Sequence, residues 1–143
     1  MADRLPTTPF VALGALRIVS AAIFILHGTQ KLFNLPAGTR PGPDFGSFLW
    51  FGGVLEILLG GLILLGLFTR GAAFLASGMM AVAYWLYHAP SDLFPVNNGG
   101  DAAILYCFVF LYIVFAGPGA WSLDGILKRQ RREQRAAEAA ARE

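Results

Sequence analysis

Four apolar stretches alternate with polar segments along the chain. We predict membrane-spanning helices at residues 10–32, 48–68, 71–87 and 102–116. A hydrocarbon core about 30 Å thick needs about 20 apolar residues at a helical rise of roughly 1.5 Å each. The fourth stretch is shorter than that, so we expect its start to lie below the membrane surface. The backbone at 98–101 would then be irregular and covered by protein or water.

The second stretch contains a single charged residue, Glu56, about a third of the way along it. A carboxylate at that depth costs on the order of 3 kcal/mol, so it should face other protein and not lipid. Gly52, Gly53 and Gly60 lie one turn away on the same side of the helix, where a neighbouring backbone can approach closely. Intramembrane ionisable residues often mark function. The structural alternative is a neutral Glu56 that only hydrogen-bonds between helices.

The first stretch carries its polar residues in one helical stripe, which includes Arg17, His27 and Lys31. Long basic side chains near helix ends commonly extend to the interface, and this is sufficient to explain Lys31. Helical side chains lean toward the N-terminus of their own helix. We therefore predict a contact between His27 and Glu56, and we expect Arg17 to be held by the inner half of the bundle or by lipid phosphate.

Basic residues set the predicted orientation in the membrane. They follow the fourth helix in the charged tail at 124–143, and Arg70 marks the turn between the second and third helices. The positive-inside rule makes both places, and with them both termini, cytoplasmic. His27 and Glu56, the candidate polar pair, then lie in the outer half. The other ligand-binding candidates form the mouth of this outer site: Lys31, His88, Asn98, Gly99, Gly100 and Asp101.

The amino-acid composition of the chain is typical of a small membrane protein. The chain has 143 residues, of which 56% are hydrophobic and 14% are charged, and its mean hydropathy is +0.58. We expect an all-α protein: a four-helix antiparallel bundle at 1–123 followed by a cytoplasmic helix at 124–143. Nucleic acid is not an expected partner, because the basic residues cluster in a short tail without a nucleic-acid motif.

Cysteine and metal chemistry have little support in the sequence. Cys107 is the single cysteine, which excludes an internal disulfide and every Cys-x-x-Cys arrangement. We predict no metal site. A set formed by His27, His88, Glu56 and Asp101 at the outer face is the alternative, but its spacing matches no metal motif.

Several short motifs then follow one another in order and spacing. They are HGTQKL at 27–32, GGVLEILLGG at 52–61, NGGD at 98–101 and GPGAWSLD at 117–124. With Arg17, Thr69 and Arg70, they resemble the DoxX family over nearly the whole chain. Asp101 departs from the family pattern, which has Glu at this position. The resemblance implies a bacterial inner-membrane protein with four helices, some of whose relatives are linked to quinone-dependent oxidoreductases or oxidative-stress complexes.

Three classes of function remain open. The first is an accessory or membrane-anchor subunit of a quinone-linked system, in which a head group bonds His27 and Glu56. The chain has no motif for an intrinsic flavin, haem or iron–sulfur cofactor, so in this role it would need a soluble or membrane redox partner. The second is a small-molecule or proton transporter, although no broken-helix repeat is visible. The third is a structural or assembly subunit without catalysis. Membrane lipid and a second copy of the chain are further expected partners, and a quinone or lipid is the expected bound molecule.

Overall fold

The structure, a computed structural model, describes residues 7–38 and 42–142, and the regular structure in those ranges is helical. The first six residues of the domain predicted at 1–123 lie outside them. The helices are α1 Thr7–Phe33, α2 Phe48–Leu65, α3 Thr69–Ala83, α4 Pro95–Asn98, α5 Asp101–Ala116 and α6 Leu123–Ala140, and a π-helical turn at Tyr84–His88 continues α3.

Two of these helices, α1 and α2, are long and apolar enough to cross a membrane, and α5 is a shorter apolar helix. The α3 helix and its π-helical turn together cover 69–88, which corresponds to about 30 Å of helix at roughly 1.5 Å per residue. The four predicted stretches therefore fall on α1, α2, α3 with its π-helical turn, and α5, apart from residues 66–68. Their bounds differ in places, for local reasons.

Helix α2 ends at Leu65 and not at residue 68. Gly66 adopts a left-handed conformation with φ of 67°, which glycine tolerates at little cost. Its amide donates to the carbonyl of Ile63 at 3.0 Å, and the amide of Leu67 donates to the carbonyl of Leu62 at 3.0 Å. These bonds satisfy carbonyls at the helix end, as in a Schellman motif. The chain consequently turns within three residues before α3 begins at Thr69.

The segment before α5 contains more regular structure than predicted. The expectation of irregular backbone at 98–101 is corrected at both end residues, because Asn98 ends the short helix α4 and Asp101 begins α5. Phe94 is extended and Pro95 takes the first helical position, where a missing N–H costs nothing. Gly99 then reverses the chain with φ of 68°, and α5 starts at Asp101.

The core lies between α1, α2, α3 and α5. Helix α1 packs on α2, α3 packs on α5, α2 contacts α3, and α1 contacts α5. Phe24 of α1 and Phe110 of α5 are fully buried, and their rings meet edge to face at 4.9 Å. Small residues of α3, namely Ala72, Ala73 and Ala76, are buried and allow close helix approach. This packing determines which polar groups of different helices lie at the same level along the helix axes.

Candidate functional site

Glycines bring α1 and α2 into contact at the level of Glu56. A Cβ on Gly28 would lie 2.6 Å from the carbonyl oxygen of Gly53, and one on Gly60 would lie 2.7 Å from Cγ1 of Ile25. Real Cβ atoms do not approach this closely, so the Gly53 backbone in the first case and the Ile25 side chain in the second would have to move. These glycines therefore allow a backbone approach that places the carboxylate of Glu56 directly against α1.

Glu56 is buried and paired with Lys31. The ammonium Nζ lies 2.5 Å from Oε1, and the exposed fractions of the two side chains are 33% for Lys31 and 4% for Glu56. The other carboxylate oxygen, Oε2, is buried without a hydrogen-bond partner among the described residues. A buried acceptor left unpaired costs roughly 1–3 kcal/mol. The site therefore has one oxygen available to a further donor.

The predicted contact between His27 and Glu56 is wrong. His27 is exposed, and its ring packs edge to face on Tyr106 of α5 at 5.8 Å between centroids. The lean of side chains toward the helix N-terminus explains the change of partner. A Cβ on Gly53 would lie 3.2 Å from Cβ of Lys31, so Lys31 starts one turn above Glu56 and leans down to it. His27 starts one turn lower, and its ring packs on Tyr106 instead.

An apolar cavity of about 240 Å³ adjoins the ion pair. Lys31 and Glu56 contribute its charged groups, and the rest of the wall is mainly apolar side chains of α2, α3 and the π-helical turn: Phe48, Leu49, Gly52, Met79, Met80, Val82, Ala83 and Tyr87. Met79 and Met80, whose flexible side chains adapt to irregular spaces, thus line the same cavity as the charged pair. A cavity that is apolar except for a few convergent polar groups is typical of a small-molecule site.

A second cavity, of about 570 Å³, continues the first toward the loop before α5. The two share Lys31, Leu49, Ala83 and Tyr87. The second adds four residues, most of them polar: His88, Ser91, Asn98 and Gly99. Lys31 therefore stands between a narrow apolar space and a wider, more polar one. π-Helical turns such as Tyr84–His88 are often found at functional sites.

Asn98 organises the loop that borders the wider cavity. Its Nδ2 donates to the carbonyl of Asp92 at 2.6 Å, and its Oδ1 accepts from the amide of Gly100 at 2.7 Å. Its own carbonyl lies 3.1 Å from Nδ1 of His88. Gly100 is buried, and a Cβ there would lie 2.7 Å from the Tyr84 ring. Gly100 therefore has a packing role and is not among the residues that line either cavity.

Asp101 lies away from the predicted mouth. It is exposed in the first turn of α5 and lines neither cavity. At this position, its negative charge complements the N-terminus of α5. Among the described residues, no group of three His, Cys, Asp or Glu side chains is placed to hold a metal ion.

Arg17 occupies a separate buried site at the opposite end of α2. Its side chain is fully buried and donates to five backbone carbonyls, with donor to acceptor distances between 2.5 and 3.0 Å. The acceptors are Ile63, Leu64, Pro118, Ala120 and Trp121. The sequence analysis predicted that Arg17 is held by the inner half of the bundle, and none of these bonds goes to Glu56. The guanidinium thus satisfies the C-terminal carbonyls of α2, where a positive charge is favourable, and fixes the 117–121 segment.

Asp124 was not predicted as a structural residue, although it closes the GPGAWSLD motif. Its carboxylate accepts from the amide of Phe68 at 3.0 Å and from the amide and hydroxyl of Thr69 at 2.9 and 2.7 Å. It therefore caps α3 from a distant part of the chain. Arg70, predicted as a structural polar residue, is exposed in the first turn of that helix.

Replacing Asp124 with asparagine should destabilise the protein by roughly 1–2 kcal/mol, because the amide has one acceptor oxygen where the carboxylate has two, so that at least one backbone hydrogen bond is lost and the others become neutral. Although partial burial would raise the pKa of Asp124, the hydrogen bonds from Thr69 and Phe68 lower it overall. A lowered pKa stabilises the fold above the unfolded value of about 3.9, and this stabilisation is lost as pH falls through the folded value. The Tm difference between wild type and Asp124→Asn in detergent should therefore shrink as pH falls from 6 toward about 3.

The exposed Glu133 provides the control for this prediction. Glu133 lies 3.6 Å from Arg129 with two-thirds of its side chain exposed, and such pairs contribute about 0.5 kcal/mol or less. Glu133→Gln should therefore leave Tm nearly unchanged. Equal Tm losses for Asp124→Asn and Glu133→Gln would show that Asp124 does not cap α3.

Comparison with known proteins places the chain in a family. The DoxX family profile matches residues 12–89. An uncharacterized protein of Haemophilus influenzae is 46% identical over 117 residues, which cover 78% of this chain and 87% of that protein. An uncharacterized membrane protein of Mycobacterium tuberculosis is 32% identical over 134 residues, with 80% of each chain covered. No solved structure matches the chain significantly. The chain belongs to the DoxX family of membrane proteins.

Proposed function

We propose that this protein binds an amphiphilic molecule, a quinone or a lipid, in the cavity beside the Lys31 and Glu56 pair, and that it serves as an accessory or anchor subunit of a quinone-linked redox system. One observation carries the proposal: beside an apolar cavity, a buried carboxylate has one oxygen paired with Lys31 and the other without a partner among the described residues. A ligand that donates one hydrogen bond would satisfy the remaining oxygen and fill the cavity.

The chemistry of the site suits a quinone and its reduced form. Quinone carbonyl oxygens accept hydrogen bonds, which the ammonium of Lys31 can donate, and a quinol hydroxyl can donate to Oε2 of Glu56. The cavity of about 240 Å³ is smaller than the roughly 300–1,000 Å³ of typical drug-sized ligand pockets. It therefore suits a head group, with the tail extending along the apolar helices. Electron transfer would need a partner protein, since the sequence has no motif for an electron-carrying cofactor.

The proposed membrane arrangement is an antiparallel four-helix bundle in the inner membrane, with both termini cytoplasmic. Helices α1, α2, α3 with its π-helical turn, and α5 would be the four spans. The basic residues of α6 and Arg70 lie at the same end of this arrangement, which supports the orientation through the positive-inside rule. The Lys31 and Glu56 site would then open in the outer half of the membrane.

Cysteine labelling tests this orientation. In a Cys107→Ala background, Ser91→Cys should react with a membrane-impermeant maleimide in spheroplasts, whereas Ala137→Cys should react only after the membrane is opened. Both positions are exposed in the fold, so access is decided by the side of the membrane. Labelling of Ala137→Cys in intact spheroplasts would invert the orientation and place the ion pair in the inner half.

A matched pair of glycine variants tests ligand binding. A Cβ at Gly52 or at Gly61 would meet no atom within 4 Å, so both positions of α2 accept a larger side chain. Gly52 lines the cavity beside Glu56, and Gly61 is not among the lining residues. Gly52→Leu should reduce the quinone or lipid retained on purification roughly tenfold or more, because the side chain occupies the binding space. Gly61→Leu should retain it as wild type does.

Mass spectrometry of the purified proteins provides the measurement, with bound molecules counted per chain. Equal retention by Gly52→Leu and Gly61→Leu would contradict binding in this cavity. If wild-type protein purified in mild detergent retains no amphiphile, the assignment as a structural or assembly subunit is favoured instead.

A further inference from the structure

A basic groove lies between α6 and the turn that joins α2 to α3, far along the chain from the Lys31 and Glu56 site. It has a volume of about 530 Å³. One wall carries four basic residues of α6, namely Lys128, Arg131, Arg132 and Arg135, and the remaining lining residues are Leu67, Phe68, Asp124 and Leu127. The basic residues recur at helical spacings of three and four, so they share one face of α6.

The positive charge of the groove is poorly compensated. Asp124 is its single acidic lining residue, and its carboxylate already accepts hydrogen bonds from Phe68 and Thr69. The nearest acidic residue of α6 to Arg131 and Arg132 is Glu133, whose carboxylate lies beside Arg129 and does not line the groove. The groove therefore favours an anionic group.

Apolar side chains adjoin the basic wall. The side chain of Phe68 is 73% exposed and that of Leu127 is 42% exposed, and both line the groove. Trp121, just before α6, is also mostly exposed, and tryptophan is enriched at the membrane interface. Free phosphate or another small hydrophilic anion would gain nothing from these apolar groups, whereas a lipid has chains to place against them.

We propose that this groove is a binding site for the phosphate head group of an anionic phospholipid. Arginine guanidinium groups bind phosphate oxygens through two parallel hydrogen bonds, and the spacing of Arg131 and Arg135 places two of them one turn apart. The acyl chains run past Phe68 and Leu67 toward the apolar helices. This site is independent of the one at Glu56, and its binding does not rest on the function proposed above.

Two double variants with the same loss of charge test the site. Arg131→Gln with Arg135→Gln removes two basic residues of the groove, and Arg129→Gln with Arg142→Gln removes two exposed basic residues that do not line it. The full chain is placed in nanodiscs containing phosphatidylcholine with a minority of phosphatidylglycerol. Native mass spectrometry then counts the phosphatidylglycerol molecules retained on the ejected protein. The groove variant should lower this retention about tenfold or more, and the control about threefold or less.

A third variant separates lipid from other phosphate sources. Phe68 has a left-handed backbone conformation that asparagine tolerates, so Phe68→Asn removes the apolar contact without backbone strain. It should lower phosphatidylglycerol retention at an unchanged Tm. Equal losses in the two arginine variants would show diffuse charge attraction and overturn the proposal. Displacement of the lipid by millimolar inorganic phosphate, with no effect of Phe68→Asn, would also overturn it and indicate a phosphate site.

Discussion

Arg17→Ala should destabilise the folded protein by about 5 kcal/mol, beyond the range of ordinary point substitutions. The guanidinium is fully buried and donates to five carbonyls of α2 and the 117–121 segment. Deleting a single hydrogen bond to a charged group costs roughly 1.5–3 kcal/mol, and the five bonds are lost together. At the end of α2, the carbonyl of Leu64 would lose its arginine donor, and that of Ile63 would keep only the amide of Gly66.

Arg17→Lys should restore little of this stability. An ammonium has three N–H donors on one atom, whereas the arginine reaches Pro118 with Nε, Ile63 and Leu64 with Nη1, and Ala120 and Trp121 with Nη2. A single ammonium nitrogen cannot reach all five carbonyls, so we expect a loss of at least about 3 kcal/mol. The measurement is the Tm and the monodisperse fraction of the protein purified in mild detergent.

The exposed Arg70 is the matched control, since Arg70→Ala also removes one positive charge near the same end of the fold. It should change stability by no more than about 0.5 kcal/mol. If Arg17→Ala and Arg70→Ala lower Tm equally, the carbonyl cluster around Arg17 does not stabilise the protein.

The positions of the helices could be predicted from the sequence because they depend on local sequence patterns. Apolar runs, and the proline and glycine residues that interrupt them, affect only the few residues around them. The start of α2 is such a local feature: it begins at the predicted residue because Ser47 accepts a hydrogen bond from the amide of Trp50 at 3.2 Å. The early end of α2 at Gly66 depends in part on a distant contact: a Cβ there would lie 2.5 Å from Cβ of Ser122. Sequence spacing carries no signal of that contact.

The side chain that pairs with Glu56 could not be predicted from the sequence alone. His27 and Lys31 lie on the same helical stripe, one turn apart, so periodicity cannot distinguish them. The choice depends on the relative height of α1 and α2, which the glycines at 28, 53 and 60 set by close contact. Side chains of α1 lean toward its N-terminus as predicted, but the side chain that reaches Glu56 is that of Lys31, one turn after His27.

The networks of Arg17 and Asp124 were harder to predict because most of their partners are backbone groups. The exclusion of Glu56 as a partner of Arg17 followed from side-chain lean and helical rise. The five carbonyls that replaced it have no sequence signature. A usable signal existed in the lone arginine itself, because a buried cation in an apolar helix must find several acceptors and the glycine-rich 117–121 segment offers exposed carbonyls.

Lys31 and Glu56 should show strong energetic coupling, and each should be needed for ligand retention. Lys31→Met leaves a carboxylate that is 4% exposed without a cation, and breaking one side of a buried pair costs roughly 3–5 kcal/mol. Glu56→Gln should cost less, because the amide keeps the shape and the one-third exposed Lys31 can extend to the interface. The double variant should therefore be more stable than the sum of the two losses indicates, with a coupling energy of about 1–3 kcal/mol.

The exposed pair of Arg129 and Glu133, 3.6 Å apart, provides the matched double-mutant cycle. Its coupling should not exceed about 0.5 kcal/mol. Equal coupling in the two cycles, measured by unfolding in detergent, would show that burial does not strengthen the pair at Lys31 and Glu56.

Glu56→Gln also separates a chemical role from a packing role. The amide can hydrogen-bond but cannot ionise, and the variant should stay folded and inserted in the membrane. If proton exchange at Glu56 accompanies the binding of a quinone and its reduced form, Glu56→Gln should fail to complement a deletion strain and should lose bound amphiphile. Full complementation by Glu56→Gln, with normal retention of the ligand, would exclude a proton-active carboxylate. The Lys31 and Glu56 pair would then serve only to hold α1 against α2.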